Sequence, residues 1–197
     1  MALLQGLLWP IQTWNDIVLK IGRWISIVAI ALMVFAILIQ VFFRYALNNA
    51  LPWPDEAARF MMLWLTGLMA PIAFRRGGFV AIDMVVMAMP KKIGLIVNIL
   101  LLLISAGVLA MAISIGWGEV TGFGGRFATA SLYVPLAADF SEWFRVPRSW
   151  MMASLLVGVI LLFIVNIELI LRAIITFLGG GDELKTLLPA EEEIMAE

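Results

Sequence analysis

From residue 24 to residue 43 the chain runs without a single charge, and only Ser26 and Gln40 interrupt its apolar side chains. A helix that crosses a bilayer needs about 20 mostly apolar residues to cover about 30 Å of hydrocarbon. Three further stretches meet that condition or come close to it. Residues 57–74 are slightly short and carry Arg59 near the start; residues 93–115 are uncharged; residues 151–171 stay apolar until Asn166 and Glu168. Composition agrees: 63% of the 197 residues are hydrophobic and 14% are charged, against about 45–50% and about 25% in soluble domains. A water-soluble fold of this size leaves too much surface exposed to hide that apolar content. The sequence therefore predicts an all-α integral membrane protein with four transmembrane helices, forming a single membrane domain over residues 1–180.

Two other apolar stretches are too broken to span. Over residues 3–21 the large apolar side chains recur on one helical face, with Gln5, Gln12, Asn15, Asp16 and Lys20 mostly elsewhere. This predicts an amphipathic helix lying in the interface, kinked or restarted at Pro10. Residues 79–90, between Gly77-Gly78 and Lys91-Lys92, cover about 18 Å as a helix and predict a second, inner interfacial segment. The outer connection, residues 116–150, is long and rich in glycine and aromatics. Within it, Pro135 and Pro147 bracket a stretch, 136–146, that reads as a short amphipathic helical turn. Gly118 and Gly122 form a small-xxx-small pair, readable as a helix-packing motif or as plain loop glycines. The tail, residues 181–197, holds Glu191, Glu192 and Glu193 and reads as a solvated, acidic cytoplasmic end.

Lys and Arg collect on the cytoplasmic side of membrane proteins. With the N-terminus inside, that side holds Lys20, Arg23, Arg75, Arg76, Lys91, Lys92, Arg172 and Lys185; the other holds Arg44, Arg59, Arg126, Arg145 and Arg148. Both termini are accordingly expected in the cytoplasm.

The same composition narrows function. With no His and no Cys, the chain has no imidazole base, thiol nucleophile, haem ligand, iron–sulfur cluster or ordinary zinc site. No catalytic set, cofactor or metal is expected, and a net charge of −1 without a basic block argues against nucleic acid. Charges near lipid cost about 2.5–3.5 kcal/mol at a helix centre, so each calls for an explanation. They are densest at the first outer hairpin, where Gln40, Arg44 and Tyr45 leave the first span and Trp53, Asp55, Glu56, Arg59 and Trp64 enter the second. Spacings of three and four let Glu56 or Asp55 meet Arg59 on one helix face, and Arg44 is placed to reach the other acid. One reading is an interfacial snorkelling cluster; the other is a partly buried network that sets a helix angle or contacts a partner. Glu168 and Arg172, also four apart, read as a terminal pair, and Asn98 and Asn166 as interhelical hydrogen-bonding residues. Span centres this free of charge suit a scaffold better than a solute pathway.

The ordered set Gln40-Val41-Phe42-Phe43-Arg44-Tyr45, Trp53-Pro54-Asp55-Glu56-Ala57-Ala58-Arg59-Phe60, Trp64 and Ala73-Phe74-Arg75-Arg76-Gly77, followed by Asp83 and Pro90, resembles the small membrane subunit (DctQ-like small permease) of TRAP, tripartite ATP-independent periplasmic, transporters. Asp55 stands where the family usually has Glu, Phe60 where Tyr is frequent, and Phe79 where His is common. The resemblance implies a non-enzymatic, multi-pass scaffold in the bacterial inner membrane. Its partners would be a large elevator-type membrane subunit, a periplasmic solute-binding protein and membrane lipid, and the system would take up an organic acid with sodium. An accessory or assembly subunit of another membrane complex is the alternative; a membrane enzyme built on Asp55, Glu56 and Arg59 lacks a nucleophile. The expected orientation is directly testable in this cysteine-free chain. Gly78→Cys should be labelled by an impermeant maleimide from the inner side and Ala128→Cys from the outer side; the reverse pattern overturns the topology.

Overall fold

A computed structural model of the chain describes residues 2–77, 90–135, 142–181, 184 and 187. Helix α1 runs Ala2–Ala46, α2 Trp53–Arg75, α3 Lys91–Thr121 and α4 Arg148–Phe177. Between α3 and α4 lie a 3-10 turn, Phe123–Arg126, and two antiparallel strands, β1 Ala128–Pro135 and β2 Trp143–Pro147. All four helices are long and apolar enough to cross a membrane. Residues 78–89, which hold Asp83 and almost all of the expected inner interfacial segment, and most of the acidic tail lie outside the described residues.

Local chemistry fixes the helix ends. Asn48 adopts a left-handed φ of 53° after α1, a conformation that Asn tolerates better than most residues. Pro54, Asp55 and Glu56 occupy the first turn of α2, where a missing N–H is harmless and negative charge faces the positive end of the helix dipole. Gly179, at φ +89°, closes α4: its N–H donates to Thr176 O at 3.1 Å, and Gly180 N–H donates to Ile175 O at 2.9 Å. This paired capping pattern favours glycine, which has no Cβ to strain, at the left-handed position.

The chain forms two compact units. The first comprises Met1–Ile21, Ala70–Ala112 and Val159–Glu197. Its core is Leu19, Ile72 and Val165, with Phe74 and Leu169 packed against it. Asn166 donates through Nδ2 to the Leu102 carbonyl at 3.0 Å, tying α4 to α3 as an interhelical hydrogen bond. The second unit comprises Gly22–Met69 and Ile113–Gly158. Its tightest crossing is between α2 and α4. A Cβ added at Gly67 would stand 2.4 Å from Ser154 O, and one at Gly158 2.7 Å from both Gly67 Cα and Gly67 O. Ser154 and Gly158 thus form a small-xxx-small pair that admits the backbone of α2. Pro71 reinforces the choice of site, because its missing N–H leaves the Gly67 carbonyl without its usual helical donor.

Three readings of the sequence change here. The first span and the expected interfacial helix over residues 3–21 are one element: α1 passes Pro10 and Gly22-Arg23 unbroken. Pro10 deprives only the Gly6 carbonyl of its donor, and the buried side of this segment, Leu8, Asn15 and Leu19, packs within the first unit. Of the face seen as apolar, Leu7, Trp14 and Ile21 are exposed, Ile11 and Val18 half-buried and Leu8 buried. Residues 143–146 are not a helical turn but most of β2, and 136–141 lie outside the described residues. Trp143, Phe144 and Val146 are strand formers, and Arg145 pairs across the strands with Tyr133, its guanidinium 5.7 Å from the ring centroid. Finally, the pair Gly118 and Gly122 meets no other helix among the described residues: Gly118 has nothing within 4 Å of a Cβ, and Gly122 faces the Gly118 carbonyl of its own helix end.

Overpacking a close crossing costs about 1–3 kcal/mol. Gly158→Ala or Gly67→Ala should therefore lower the thermal midpoint of the detergent-purified chain. Gly107→Ala, where nothing lies within 4 Å, should not.

Candidate functional site

Within the second unit the structure gathers part of the predicted cluster and separates the rest. Gln40 Nε2 donates to Asp55 Oδ2 at 2.7 Å, joining the end of α1 to the start of α2. Glu56 turns away from the other side chains of the cluster towards β1. Its carboxylate accepts the Ala130 N–H at 2.8 Å, the Ser131 N–H, and the Ser131 hydroxyl at 2.6 Å. From the other strand, Arg145 donates through Nε to Thr129 O and through Nη2 to Ala130 O at 2.9 Å. The Thr129 hydroxyl closes the irregular stretch by donating to Val146 O at 2.7 Å. The bulged part of β1 thus has donors met by a carboxylate and acceptors met by a guanidinium, chemistry that blunts an otherwise open strand edge.

Arg59 is exposed and makes no ion pair among the described residues, so the expected Asp55/Glu56–Arg59 pairing is not formed. Arg44, exposed as well, lies 5.8 Å from the centroid of the Tyr45 ring rather than against an acid. Both acids are already engaged, by an amide and by backbone N–H groups that need no desolvated cation. Trp53 joins Pro52, Tyr133 and Trp143 around a shallow cleft beside β1. Trp64 packs on Phe60, ring centroids 6.4 Å apart, and its indole N–H is buried without a partner among the described residues.

A second polar cluster, in the first unit, is more deeply enclosed. Glu168 on α4 has no exposed surface. Its Oε1 accepts from Arg75 Nη2 of α2 at 2.9 Å and from Arg172 Nε at 3.0 Å, and its Oε2 accepts from Asn15 Nδ2 of α1 at 2.6 Å. Arg75 also donates through Nη1 to Asp16 at 2.6 Å. Two acids and two guanidiniums, with an amide, therefore neutralise one another across three helices. The i,i+4 pair expected at the end of α4 is present, but as the buried centre of this network rather than a solvated terminus. In the sequence Arg75 reads as an orientation signal and as part of the family motif, not as the partner of Glu168. The overlooked signal was positional: each of three apolar helices carries a polar side chain near the same end, and a buried charge must find a partner.

A buried, multiply bonded carboxylate on apolar helices defines a multi-pass membrane protein whose polar side chains serve its own packing. Residues 33–176, well over half of the chain, match the family described as tripartite ATP-independent periplasmic transporters, DctQ component. The chain belongs to that family: it is a membrane component of a TRAP transporter and not an enzyme. No curated protein matches the sequence significantly.

Removing one member of a buried pair costs about 3–5 kcal/mol, because the remaining charge is left uncompensated. Glu168→Ala should accordingly lose most folded protein in detergent, measured by thermal unfolding. Asn15→Ala, which removes one hydrogen bond but no charge, should cost far less.

Proposed function

We propose that this chain is the immobile small subunit of a tripartite uptake system in the bacterial inner membrane. It supports a large elevator-type subunit that moves an organic acid inward with sodium after delivery by a periplasmic binding protein. The supporting observation is that the buried charges of the helices, Arg75, Glu168 and Arg172, are bonded to one another within the chain. A solute pathway wants polar groups near mid-membrane, often beside broken helices; here they lie towards the ends of α2 and α4 and hold α1, α2 and α4 together.

The surface left over suits a support. Along α1 and α3, Ile25, Val28, Phe35, Leu38, Leu100 and Val108 are among many large apolar side chains that the chain itself does not cover. α1 would be about 67 Å long at 1.5 Å per residue, twice the hydrocarbon thickness, and its first part is proposed to reach the cytoplasmic interface, where it resists tilting. Arg44 and Arg59, exposed beside the Glu56-anchored hairpin, are the proposed polar contacts to the partner subunit, with Gln40, Tyr45, Trp53, Asp55, Glu56 and Trp64 shaping the surface around them.

A tagged chain should co-purify with one large multi-span protein, and cells lacking the chain should lose uptake. Arg59→Ala should reduce the recovered complex several-fold while solute affinity of the isolated periplasmic protein stays unchanged. Normal complex yield and normal uptake for both Arg59→Ala and Glu56→Ala would show that the hairpin contributes nothing to assembly. Recovery of the chain only as a lone monomer, with undiminished uptake in its absence, would overturn the scaffold reading itself.

A further inference from the structure

The first unit contains a cavity of about 580 Å3, open to the outside and bordered by α2, α3 and α4. Its walls have a direction. Arg75 and Gly77 at the end of α2, Asn98 in the second turn of α3, and Arg172 and Thr176 near the end of α4 contribute the polar atoms. Further along α3 and α4 the lining becomes Leu102, Ile104, Val108, Leu109 and Leu162, relieved only by Ser105. All the polar residues but Ser105 therefore lie where these three helices begin or end, beside the apolar Phe74, Leu95 and Ala173, and towards the helix middles the lining is otherwise apolar. The volume falls within the roughly 300–1,000 Å3 typical of small-molecule sites.

We propose that this groove holds one membrane phospholipid, with an acyl chain along Leu102, Val108 and Leu109 and the headgroup phosphate at Arg75 and Arg172. Four observations support that occupant over a protein helix. The cavity opens from helices able to span a bilayer, so acyl chains are its natural surroundings. Its lining runs from guanidinium donors to apolar side chains along one direction, as an amphiphile does and a hydrophobic helix does not. Among the described residues no acid lines it: Glu168, which meets both guanidiniums, and Asp16, which meets Arg75, are not part of the lining. Finally, a guanidinium carries five N–H donors, and Arg75 commits one from each terminal nitrogen to Asp16 and Glu168, leaving others for a phosphate oxygen. The site requires only that the chain span a membrane and is independent of the transport assignment.

The test uses the full chain purified in a phosphate-free detergent and native mass spectrometry. The probe is lysophosphatidylglycerol with a 16-carbon chain; hexadecanol and inorganic phosphate are the controls. The wild-type chain should retain one lysophospholipid above the micelle background, at least tenfold more tightly than either control. Ser105→Trp, which fills the groove, and Val108→Trp, at its exposed rim in case the first variant misfolds, should each weaken retention about tenfold with unchanged helix content. Asn98→Asp, which sets a negative charge beside the phosphate, should weaken the lysophospholipid and spare hexadecanol. Equal retention of hexadecanol and lysophospholipid by the wild type would overturn the headgroup assignment. Unchanged binding in both Trp variants would overturn the site, as would release of the lipid whenever the large membrane subunit is bound, since the groove would then be a protein interface.

Discussion

A carboxylate with no exposed surface is the feature on which the packing of this chain turns. Glu168 sits on an apolar helix, where an unpaired charge would be intolerable, and it is tolerated because α1 supplies Asn15, α2 supplies Arg75 and its own helix supplies Arg172. Such a network contributes less to raw stability than its Coulomb energy suggests, since desolvating each ion offsets much of the attraction. Its greater effect is on register. Sliding α2 by one turn would strand Arg75, Glu168 and Asp16 together, whereas sliding an apolar helix against lipid-like neighbours changes little. The polar contacts therefore select one arrangement from many of similar packing energy.

The second unit holds a partly exposed carboxylate by different chemistry. Glu56 is bound by backbone N–H groups of β1 and by the Ser131 hydroxyl, and among the described residues no cation takes part. α2 is thus pinned near its start to a strand and near its end to α1 and α4. Between these positions lies Gly67, where the only way to bring α4 closer was to remove side chains altogether.

How much of this the sequence displays depends on the range of the interaction. The four spans are legible because hydrophobicity over twenty residues is a local property, and residues 57–74 are recognisable despite Arg59. The residues flanking the first hairpin were recognisable as a group, and Gln40 and Asp55 do meet. Their partners were less accessible. Glu56 has Arg59 three residues away, but its bonds go to backbone atoms of Ala130 and Ser131, and no side-chain pattern advertises a backbone N–H. The interfacial helix over residues 3–21 was drawn as a separate element because its polar residues broke the apolar run. Asn15 and Asp16 break it for another reason, being the α1 side of the Glu168 network. Gly118 and Gly122 match a packing motif in sequence alone; Ser154 and Gly158 carry the same spacing and do admit a helix, but the lone Gly67 opposite them belongs to no such pair.

The same polar contacts limit how a partner can recognise the chain. In lipid the apolar faces of α1 and α3 supply little discrimination, because acyl chains cover them about as well as a neighbouring helix does. Most of the buried polar side chains are engaged within the chain, so they offer little either. Specific recognition within the bilayer must then come from shape, and polar recognition from groups still exposed at the helix ends. At the first hairpin those include Arg44 and Arg59, which meet no acid among the described residues because Gln40 and β1 took Asp55 and Glu56. Internal satisfaction of the acids and external availability of the arginines are thus two sides of one arrangement. A variant that drew Glu56 back to Arg59 would loosen the hairpin and neutralise the surface together.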